Sequence, residues 1–383
     1  MNHEPLNLKM MKHRLIMLSA AAVLLGLFSC SKNPVPEAPR QTLTIHIGAD
    51  PDTKSDYAAR QDYQVSSVQV VVFDSGGKME TDYYADLTPT SSAFSVNVAT
   101  FTGQKTVYAL LNHPRLSLQR DYTLASFEGI LSDLGDNSPT RLVMVGRNTV
   151  TVQEYDVNKN PGAGAQTLSI YAKRLSAMVV VDKITVDFRE TSLSGATFRV
   201  NEIYLKNVVG KCHLGLTGDT GGANSDVSPL PLSDAEHTHY AYWYNPGSRQ
   251  PSGAPGVTRD ACDIGCGNVS GGDGNVLNRC LFAYPNRTGG DSHSGSFDQR
   301  KTRLGIKAHV QKDGVTPAGG IDTYYIFDLP VLQSNRVYRV SNVHITMLGK
   351  DDDDSDADLQ AGKLSPVITV DGWTNTDPLT YAF

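Results

Sequence analysis

The chain lacks the features that mark several large classes of protein. Its 383 residues include 34 Lys and Arg against 40 Asp and Glu, a formal charge of −6. Nucleic-acid-binding proteins need basic patches that meet phosphates, so this mildly acidic balance argues against a nucleic-acid partner. Five Cys are too few for a disulfide-dense small scaffold. Apolar residues make up 40% of the chain and charged residues 19%, which is enough to bury apolar cores.

Catalytic motifs are also missing. The sequence contains no G-x-S-x-G, H-E-x-x-H, P-loop or G-x-G-x-x-G pattern. No pair of carboxylates has a spacing that singles it out for acid–base work. We therefore predict that the protein is not an enzyme and needs no cofactor.

One long hydrophobic run is present, at the start of the chain. Lys9, Lys12 and Arg14 precede residues 15–28, which are too short to span a bilayer and are typical of a secretory signal. The run ends in Leu-Phe-Ser-Cys at 27–30, which resembles a bacterial lipobox. We predict a lipoprotein signal peptide over 1–29, lipid on Cys30, and a Pro-containing tether over 30–40. The alternative is an ordinary secretory signal with a stray Cys.

From residue 41 onward the apolar pattern is mostly that of β-strands. Leu43, Ile45 and Ile47 alternate with polar residues, as in a half-buried strand. A helix is predicted over 123–134, with Thr123 as its N-cap. Further strands are predicted at 65–73, which a turn at 74–77 closes, and at 94–98, 105–112, 141–145, 148–153, 166–171, 176–187, 197–208, 277–284, 302–311, 322–329, 336–348 and 365–373.

This spacing predicts an all-β fold of two sandwiches in tandem, with few short helices. The sandwiches would comprise 41–174 and 175–383, with the boundary near 172–176. Residues 215–300 are rich in Gly, Ser, Asn, Asp and Pro, which indicates a long loop-rich insertion in the second sandwich.

Four cysteines lie in or beside that insertion: Cys212, Cys262, Cys266 and Cys280. In an exported protein the interpretation we favour is two disulfides, with three connectivities open. Free thiols, or a zinc site helped by His213, His237, His239 and His293, are the alternatives.

A run of aspartates, Asp351 to Asp354 with Asp356 and Asp358, lies between two predicted strands. It lacks the Gly and the distal Glu of an EF-hand loop, so a solvated hairpin tip is favoured over a calcium site. We predict no metal.

The order of segments resembles one family. VSSVQVVVFDSGGKM is similar to a fimbrillin strand and turn, KTVYALLNHP to a segment ending in Asn-x-Pro, and RLVMVG to a short Met-containing strand. AKRLSAMVVVDKI is similar to the start of the C-terminal domain, and NRVYRVSNVHITMLG with SPVITVDGWTN to its end. The chain thus resembles the FimA/Mfa1-type fimbrillins, the type V pilins of Bacteroidales, over nearly all of it except 215–300.

The resemblance implies two transthyretin-like β-sandwiches, export as a lipoprotein, and a mechanical role. In the family a trypsin-like protease removes the lipid together with the first strand. A C-terminal strand from a neighbouring subunit then fills the opened groove. The implied partners are other fimbrial subunits, the processing protease, outer-membrane lipid through Cys30, and a host or bacterial surface ligand. The implied location is the outer-membrane surface, and the fimbrium after processing.

Carried onto this chain, the removable strand contains Leu43, Ile45 and Ile47. The cleavage candidates are Arg60 and Lys54, with solvated loop charge as the alternative; a cut at Arg40 would release only the tether. The donor-strand candidates are Val367, Ile368, Val370 and Trp373, followed by the alternating Leu379, Tyr381 and Phe383. An ordinary final strand is the alternative there.

Stalk, tip or accessory, and anchor subunit remain open as roles. A rival from another class is a surface glycan-binding lipoprotein of a polysaccharide-uptake system. Its sugar-stacking aromatics would be Tyr240, Tyr242, Trp243 and Tyr244.

Overall fold

Strands dominate the computed structural model of the chain. It describes residues 40–49, 64–90, 93–137, 141–154, 166–188, 191–222, 227–233, 235–237, 239–244, 248–249, 264–266, 275–286, 301–351, 364–372 and 379–381. The predicted all-β class is confirmed.

The first sandwich is built from the early strands. The elements up to residue 174 are β1 (Gln41–Ala49), β2 (Val65–Asp74), β3 (Met79–Thr90), β4 (Phe94–Thr100), β5 (Gly103–Leu111), α1 (Leu124–Glu128), β6 (Leu131–Asp133), β7 (Met144–Val152) and β8 (Gln166–Arg174). Seven of the strands follow the order β3-β2-β5-β7-β8-β1-β4. The β7–β8 ladder comprises Met144↔Arg174 and Val145↔Lys173, so the sheet folds at this corner into two layers, β3-β2-β5-β7 and β8-β1-β4.

Side chains from both layers meet in one apolar core, because alternate residues of each strand point inward. Leu43, Ile45 and Ile47 of β1 belong to this core. The other buried members are Val65, Val68, Val70, Val72, Val96, Val98, Val107, Ala109, Leu111, Met144, Val152, Leu168, Ile170 and Ala172.

The second sandwich contains the remaining strands. They are β9 (Ala177–Val186), β10 (Thr197–Val209), β11 (Lys211–His213), β12 (His239–Tyr244), β13 (Ser248–Arg249), β14 (Ile264–Cys266), β15 (Asn275–Ala283), β16 (Arg303–Gln311), β17 (Ile321–Asp328), β18 (Arg336–Ile345), β19 (Leu364–Gly372) and β20 (Leu379–Tyr381). One sheet has the order β15-β9-β18-β19-β20; the other is β13-β12-β10-β16-β17, with β14 also paired to β10. The core between them continues onto Val71, Phe73 and Tyr108 of the first sandwich.

The turn predicted after β2 is confirmed. The Asp74 carboxylate accepts hydrogen bonds from the backbone N–H groups of Gly76 and Lys78, both at 2.9 Å. Gly77 has a φ of +76°, a left-handed conformation that glycine adopts without steric cost. The sequence therefore fixes this hairpin locally.

The helix predicted over 123–134 is wrong in its second half. Thr123 does cap a helix, but α1 ends at Glu128, and Gly129 is its C-cap. Leu131 instead begins β6, which pairs with β11 from Leu131↔His213 to Asp133↔Lys211. A distant strand therefore replaces the last helical turns with a β-ladder.

Two strand predictions also differ from the structure. The segments 141–145 and 148–153 are one strand, β7, which passes through Gly146 without a break. Strand β3 was not predicted, because its side chains are mostly half-buried or exposed and do not alternate strictly. The segment 215–300 contains β12 to β15, and β15 pairs with β9 from Asn275↔Ile184 to Ala283↔Ala177. Part of the presumed insertion thus belongs to the framework.

Candidate functional site

The site suggested by the sequence is the position of β1 in the first sandwich. Strand β1 pairs antiparallel with β4 from Gln41↔Thr100 to Ile47↔Phe94. It pairs in parallel with β8 from Leu43↔Gln166 to Ala49↔Ala172. Both edges of β1 are therefore hydrogen-bonded to neighbours, and its removal would leave a gap between β4 and β8. We call this gap, together with the core beneath it, the β1 groove.

The inward face of β1 fills that groove completely. The side chains of Leu43, Ile45 and Ile47 are each 0% exposed. Burying an aliphatic side chain of this size contributes about 1.5–3 kcal/mol, so these three residues add substantially to the binding energy of β1. The residues expected to line a removable strand are thus in the core.

The outward face of β1 is polar and also contacts β4. The Thr44 hydroxyl donates a hydrogen bond to the Asn97 side-chain oxygen at 2.8 Å. His46 Nδ1 and Ser95 Oγ lie 2.7 Å apart. Both pairs are exposed, so they fix the register of the strand more than they stabilise it.

The predicted cleavage and lipidation residues lie on either side of β1. Strand β1 ends at Ala49 and β2 begins at Val65, so Lys54 and Arg60 lie in the segment between them, outside the described residues. Cys30 also lies outside them. Arg40 is exposed immediately before β1, and its guanidinium lies 5.0 Å from the centre of the Phe101 ring.

The donor-strand candidates that the structure describes lie on the last two strands of the second sandwich, β19 and β20. Val367, Ile368 and Val370 are on β19, where they pair through the backbone with Asn342, Val340 and Tyr338 of β18. Strand β20 pairs with β19 from Val370↔Leu379 to Ile368↔Tyr381. Trp373 and Phe383 are outside the described residues.

The cysteines are spread over three strands. Cys212 is buried on β11, with 4% of its surface exposed. Cys266 is on β14 and Cys280 on β15, and Cys262 is outside the described residues. The disulfides stay a prediction.

The aromatic run and the acidic run singled out in the sequence also have positions in the fold. The aromatic run Tyr240 to Tyr244 forms part of β12, which pairs with β10 and β13. Of the acidic run, Asp351 is described and exposed, whereas Asp352 to Asp358 lie outside the described residues. Among the described residues, no group of three or more His, Cys, Asp or Glu side chains is placed to hold a metal ion.

The Asn of the KTVYALLNHP segment, Asn112, has a structural role that the sequence alone did not reveal. It is a non-glycine residue with a φ of +61°. Its side-chain oxygen accepts from the backbone N–H of Ser66 at 2.8 Å, and its amide donates to the carbonyls of Gln64 and Leu142 at 2.7 and 3.0 Å. Asn tolerates this conformation better than other side chains, and here it ties the start of β2 to the end of β5.

A chain of charged and polar groups joins α1 to the segment after β11. The Tyr108 hydroxyl donates to Glu128 Oε1 at 2.6 Å. Burial, followed by this contact with Glu128, raises the pKa of Tyr108 well above its ordinary value, so the phenol stays protonated. Arg147 Nη1 lies 3.0 Å from Asp219 Oδ1. Arg147 Nε also lies 3.9 Å from Glu128 Oε1, so these contacts link α1, β5 and β7 to the segment after β11.

Among the described residues, no helix combines the length and apolar character needed to cross a membrane.

Comparison with known proteins finds one family model that matches part of the chain. Residues 41–179 match the family model of the FimA major fimbrial subunit protein. A comparison with curated proteins finds no match.

Solved structures share the fold over most of the chain. A candidate cell adhesion protein from Parabacteroides distasonis ATCC 8503 is 17% identical, with a TM-score of 0.57 over 88% of this chain and 100% of that one. Another from Bacteroides eggerthii DSM 20697 is 16% identical, with a TM-score of 0.55 over 88% and 97%. A FimA fimbrilin from Porphyromonas gingivalis W83 is 13% identical, with a TM-score of 0.51 over 88% and 98%.

The family is structural, which fits the lack of a catalytic motif in the sequence. The resemblance read from the order of motifs is confirmed: residues 41–179 match the family model of the FimA fimbrial subunit, and the chain carries the fold of these solved structures.

Proposed function

We propose that the protein is a fimbrial subunit that polymerises by donor-strand exchange after a protease removes β1. The observation that carries the proposal is the place of β1, which is paired along both edges while its three apolar side chains are fully buried. A cut in residues 50–64 leaves this strand held by non-covalent contacts alone.

Departure of β1 creates a strong acceptor for another strand. The facing edges of β4 and β8 lose their backbone partners, and the core residues beneath β1 meet water. Unpaired sheet edges readily bind an extended peptide, with backbone hydrogen bonds supplying affinity and apolar pockets supplying specificity. A strand with apolar residues at every second position satisfies both needs.

Processing is assigned to a trypsin-like protease that cuts after Arg60 or Lys54. Before the cut, Cys30 carries lipid and holds the subunit at the outer membrane. The cut removes residues up to 54 or 60, and with them both the lipid and β1. Anchoring and polymerisation are therefore mutually exclusive states of one subunit.

The donor is assigned to the end of the second sandwich of a neighbouring subunit. The candidates are Val367, Ile368, Val370 and Trp373, with Leu379, Tyr381 and Phe383 as a second alternating set. Strand β19 pairs with β18 and β20, so donation requires it to exchange these contacts for those of the β1 groove. The subunit acts in a stalk or as a tip or accessory subunit that presents a surface to a host or bacterial ligand.

Limited proteolysis tests the proposal. Trypsin should make a discrete cut within 50–61, after which the protein should form multimers that resist SDS at room temperature. The matched control is the double variant Lys54→Ala, Arg60→Ala, which should remain monomeric under the same treatment. A discrete cut that yields no multimers would contradict the strand-exchange role.

The donor is tested separately. Ile368→Asp with Val370→Asp should leave the cut intact but abolish multimers, because a carboxylate cannot enter an apolar groove without a large desolvation cost. Multimers that persist in this variant would exclude β19 as the donor and favour residues 379–383.

A further inference from the structure

We infer that Glu80 and Thr220 are positioning residues that hold β4 and β8, the two walls of the β1 groove, when β1 is absent. The inference rests on the proposed strand exchange, since a groove that collapsed after processing would accept no donor. Both residues act through the strands that β1 would leave behind.

Of the two strands, β4 loses more of its hydrogen bonds when β1 is removed. Within the described part of the chain, β4 lies at the end of the sheet order and pairs with β1 alone. When β1 leaves, every ladder hydrogen bond of β4 is lost. Something other than sheet pairing must keep its position.

Glu80, on β3 in the opposite layer, supplies that hold. Its Oε2 accepts a hydrogen bond from the Thr100 hydroxyl and another from the backbone N–H of Phe101 at 3.3 Å. Its Oε1 lies 2.7 Å from Lys105 Nζ, and the two side chains are only 10% and 3% exposed. Next to it, the Thr81 hydroxyl donates to the carbonyl of Ala99.

These contacts fasten the last residues of β4 to β3 and β5. A buried carboxylate that is both ion-paired and hydrogen-bonded is costly to disturb, because breaking it strands a charge away from water. The end of β4 therefore keeps its anchor whether or not β1 is present.

The wall formed by β8 is anchored from the second half of the chain. The β7–β8 ladder covers two residue pairs at the corner, and the strands diverge beyond it. Thr220 enters this opening. Its backbone N–H donates to the carbonyl of Arg147 at 2.6 Å, and its carbonyl accepts from the backbone N–H of Tyr171 at 3.0 Å.

The Thr220 side chain repeats the connection. Its hydroxyl accepts from the backbone N–H of Arg147 at 3.0 Å and lies 3.1 Å from the Arg147 carbonyl. The residue is 0% exposed. One threonine thus bridges β7 and β8 where they no longer pair with each other.

A hairpin presents Thr220 to this opening. Its two arms pair through Gly215 and Leu230, and through Thr217 and Ser228. Its base is fixed to the first sandwich by the hydrogen bond from the Gly215 N–H to the Glu128 carbonyl at 3.2 Å. This hairpin is the start of the glycine-rich segment 215–300, so that segment contributes to the groove.

The two anchors together make the groove preorganised. A donor strand then binds walls that are already in place and does not have to order them, which is how preorganisation raises affinity. Strand β1 and the donor should benefit equally, because neither contributes to the anchors.

Rebinding of β1 itself tests the inference without requiring polymerisation. In the full chain, residues 54–60 are replaced by the recognition site of a sequence-specific protease. The folded protein is cut at this site. The fragment that contains β1 is then released in mild denaturant and removed. Binding of a fluorescent peptide of residues 41–49 is then measured by anisotropy. Amide hydrogen exchange of β4 and β8 is followed in the same β1-free chain.

Thr220→Val, which removes the hydroxyl at nearly constant shape, should weaken peptide binding about tenfold, the loss of roughly one or two hydrogen bonds. Thr220→Ser should restore it. The double variant Glu80→Gln, Lys105→Met, which strands no charge, should weaken binding by a similar factor and speed exchange in β4. The matched control is Thr149→Val on β7. The Thr149 hydroxyl contacts Asp219, the hairpin residue next to Thr220, at 3.2 Å. This variant should bind the peptide as tightly as the unmodified chain does.

Wild-type affinity and exchange in both sets of variants would overturn the inference. Multimers that form equally fast in all variants would also overturn it while leaving strand exchange intact. If peptide binding depends on Thr220 and Glu80 but no multimers form with any chain, the positioning role stands and the proposed polymerisation fails.

Discussion

The first strands of the two sandwiches occupy the same place in their sheets but differ in how they are attached. Strand β1 lies between an antiparallel partner, β4, and a parallel one, β8. Strand β9 lies likewise between antiparallel β15 and parallel β18. The two sandwiches thus repeat one arrangement of strands.

Strands β1 and β9 differ in how each is covalently joined to the rest of the chain. Strand β9 follows β8 after Leu175 and Ser176, which are 1% and 0% exposed. A protease cannot reach this link, and β9 remains covalently continuous with the first sandwich. Strand β1 is joined covalently to β2 through residues 50–64, so one cut there leaves it held by non-covalent contacts alone. Sheet position therefore does not make a strand removable; its covalent connection does.

The largest expected effect comes from one isoleucine on each of these strands. Ile45→Ala on β1 and Ile184→Ala on β9 each remove a core side chain and should lower the free energy of unfolding of the intact chain by about 2–5 kcal/mol. Urea unfolding measures both.

The two variants should diverge after processing. Multimers of the cut Ile45→Ala protein should be as heat-stable as those of the unmodified protein, because residue 45 is no longer present. Multimers of Ile184→Ala should be less stable. Weakened Ile45→Ala multimers would show that β1 stays in the filament.

A pair of glycines gives the next largest effect. A Cβ at Gly146 on β7 would lie 2.3 Å from Ile170 Cγ2 on β8, and one at Gly305 on β16 would lie 2.5 Å from the Tyr204 ring. Gly146→Ala and Gly305→Ala should each cost about 1–3 kcal/mol of stability through overpacking. In the cut chain, Gly146→Ala should also speed β1 release by displacing β8, whereas Gly305→Ala should not. The release rate is measured as the loss of a fluorescently labelled β1 from the cut chain. Equal release rates in the two variants would contradict this difference between the sandwiches.

Left-handed asparagines sharpen the comparison further. Asn112 and Asn335 have φ values of +61° and +55°, and glycine adopts both without strain. Asn112→Gly should cost about 1–3 kcal/mol, because it abandons buried hydrogen-bonding groups. Asn335→Gly should cost less, about 0.5 kcal/mol, since its side-chain oxygen accepts one long bond, from the Arg174 N–H at 3.4 Å. Chemical denaturation of both variants checks the order, and equal costs would contradict it.

The smallest effect concerns pH and His113 in the first sandwich. Burial lowers the pKa of His113 below its ordinary 6.5, against the opposing influence of the Pro114 carbonyl and Asp136. The folded state favours the neutral imidazole, so its stabilising contribution is complete above pH 6.5 and is lost as the pH falls through the lowered value. His113→Gln should flatten the fall in Tm between pH 7 and pH 5, as measured by calorimetry. An unchanged slope would assign it to other groups.

Local patterns carried most of the fold prediction. The alternation of Leu43, Ile45 and Ile47 predicted a strand with one buried face, and the Asp-Ser-Gly-Gly segment predicted the turn that closes β2, because both depend on neighbouring residues. The helix after Thr123 was predicted to be too long, because Leu131 pairs with β11, about eighty residues further along the chain. No local pattern contains that information.

The candidate site was predicted in its strand but not in its supports. Glu80 meets Lys105 and Thr100, and Thr220 meets Arg147, across long stretches of chain. A lone Glu in a strand that was not predicted, and a Thr in a glycine-rich segment, look like surface residues in the sequence. Only the closed sandwich brings them to the walls of the groove.

The parallel pairing of β1 with β8 also bears on the order of folding. Leu43 is made early, yet its partner Gln166 is made only after six further strands, β2 to β7. Contacts so distant along the chain form slowly, since a long loop must close first. We therefore expect β1 to be the last strand of the first sandwich to dock, so that the folding chain passes through a form in which the β1 groove is open.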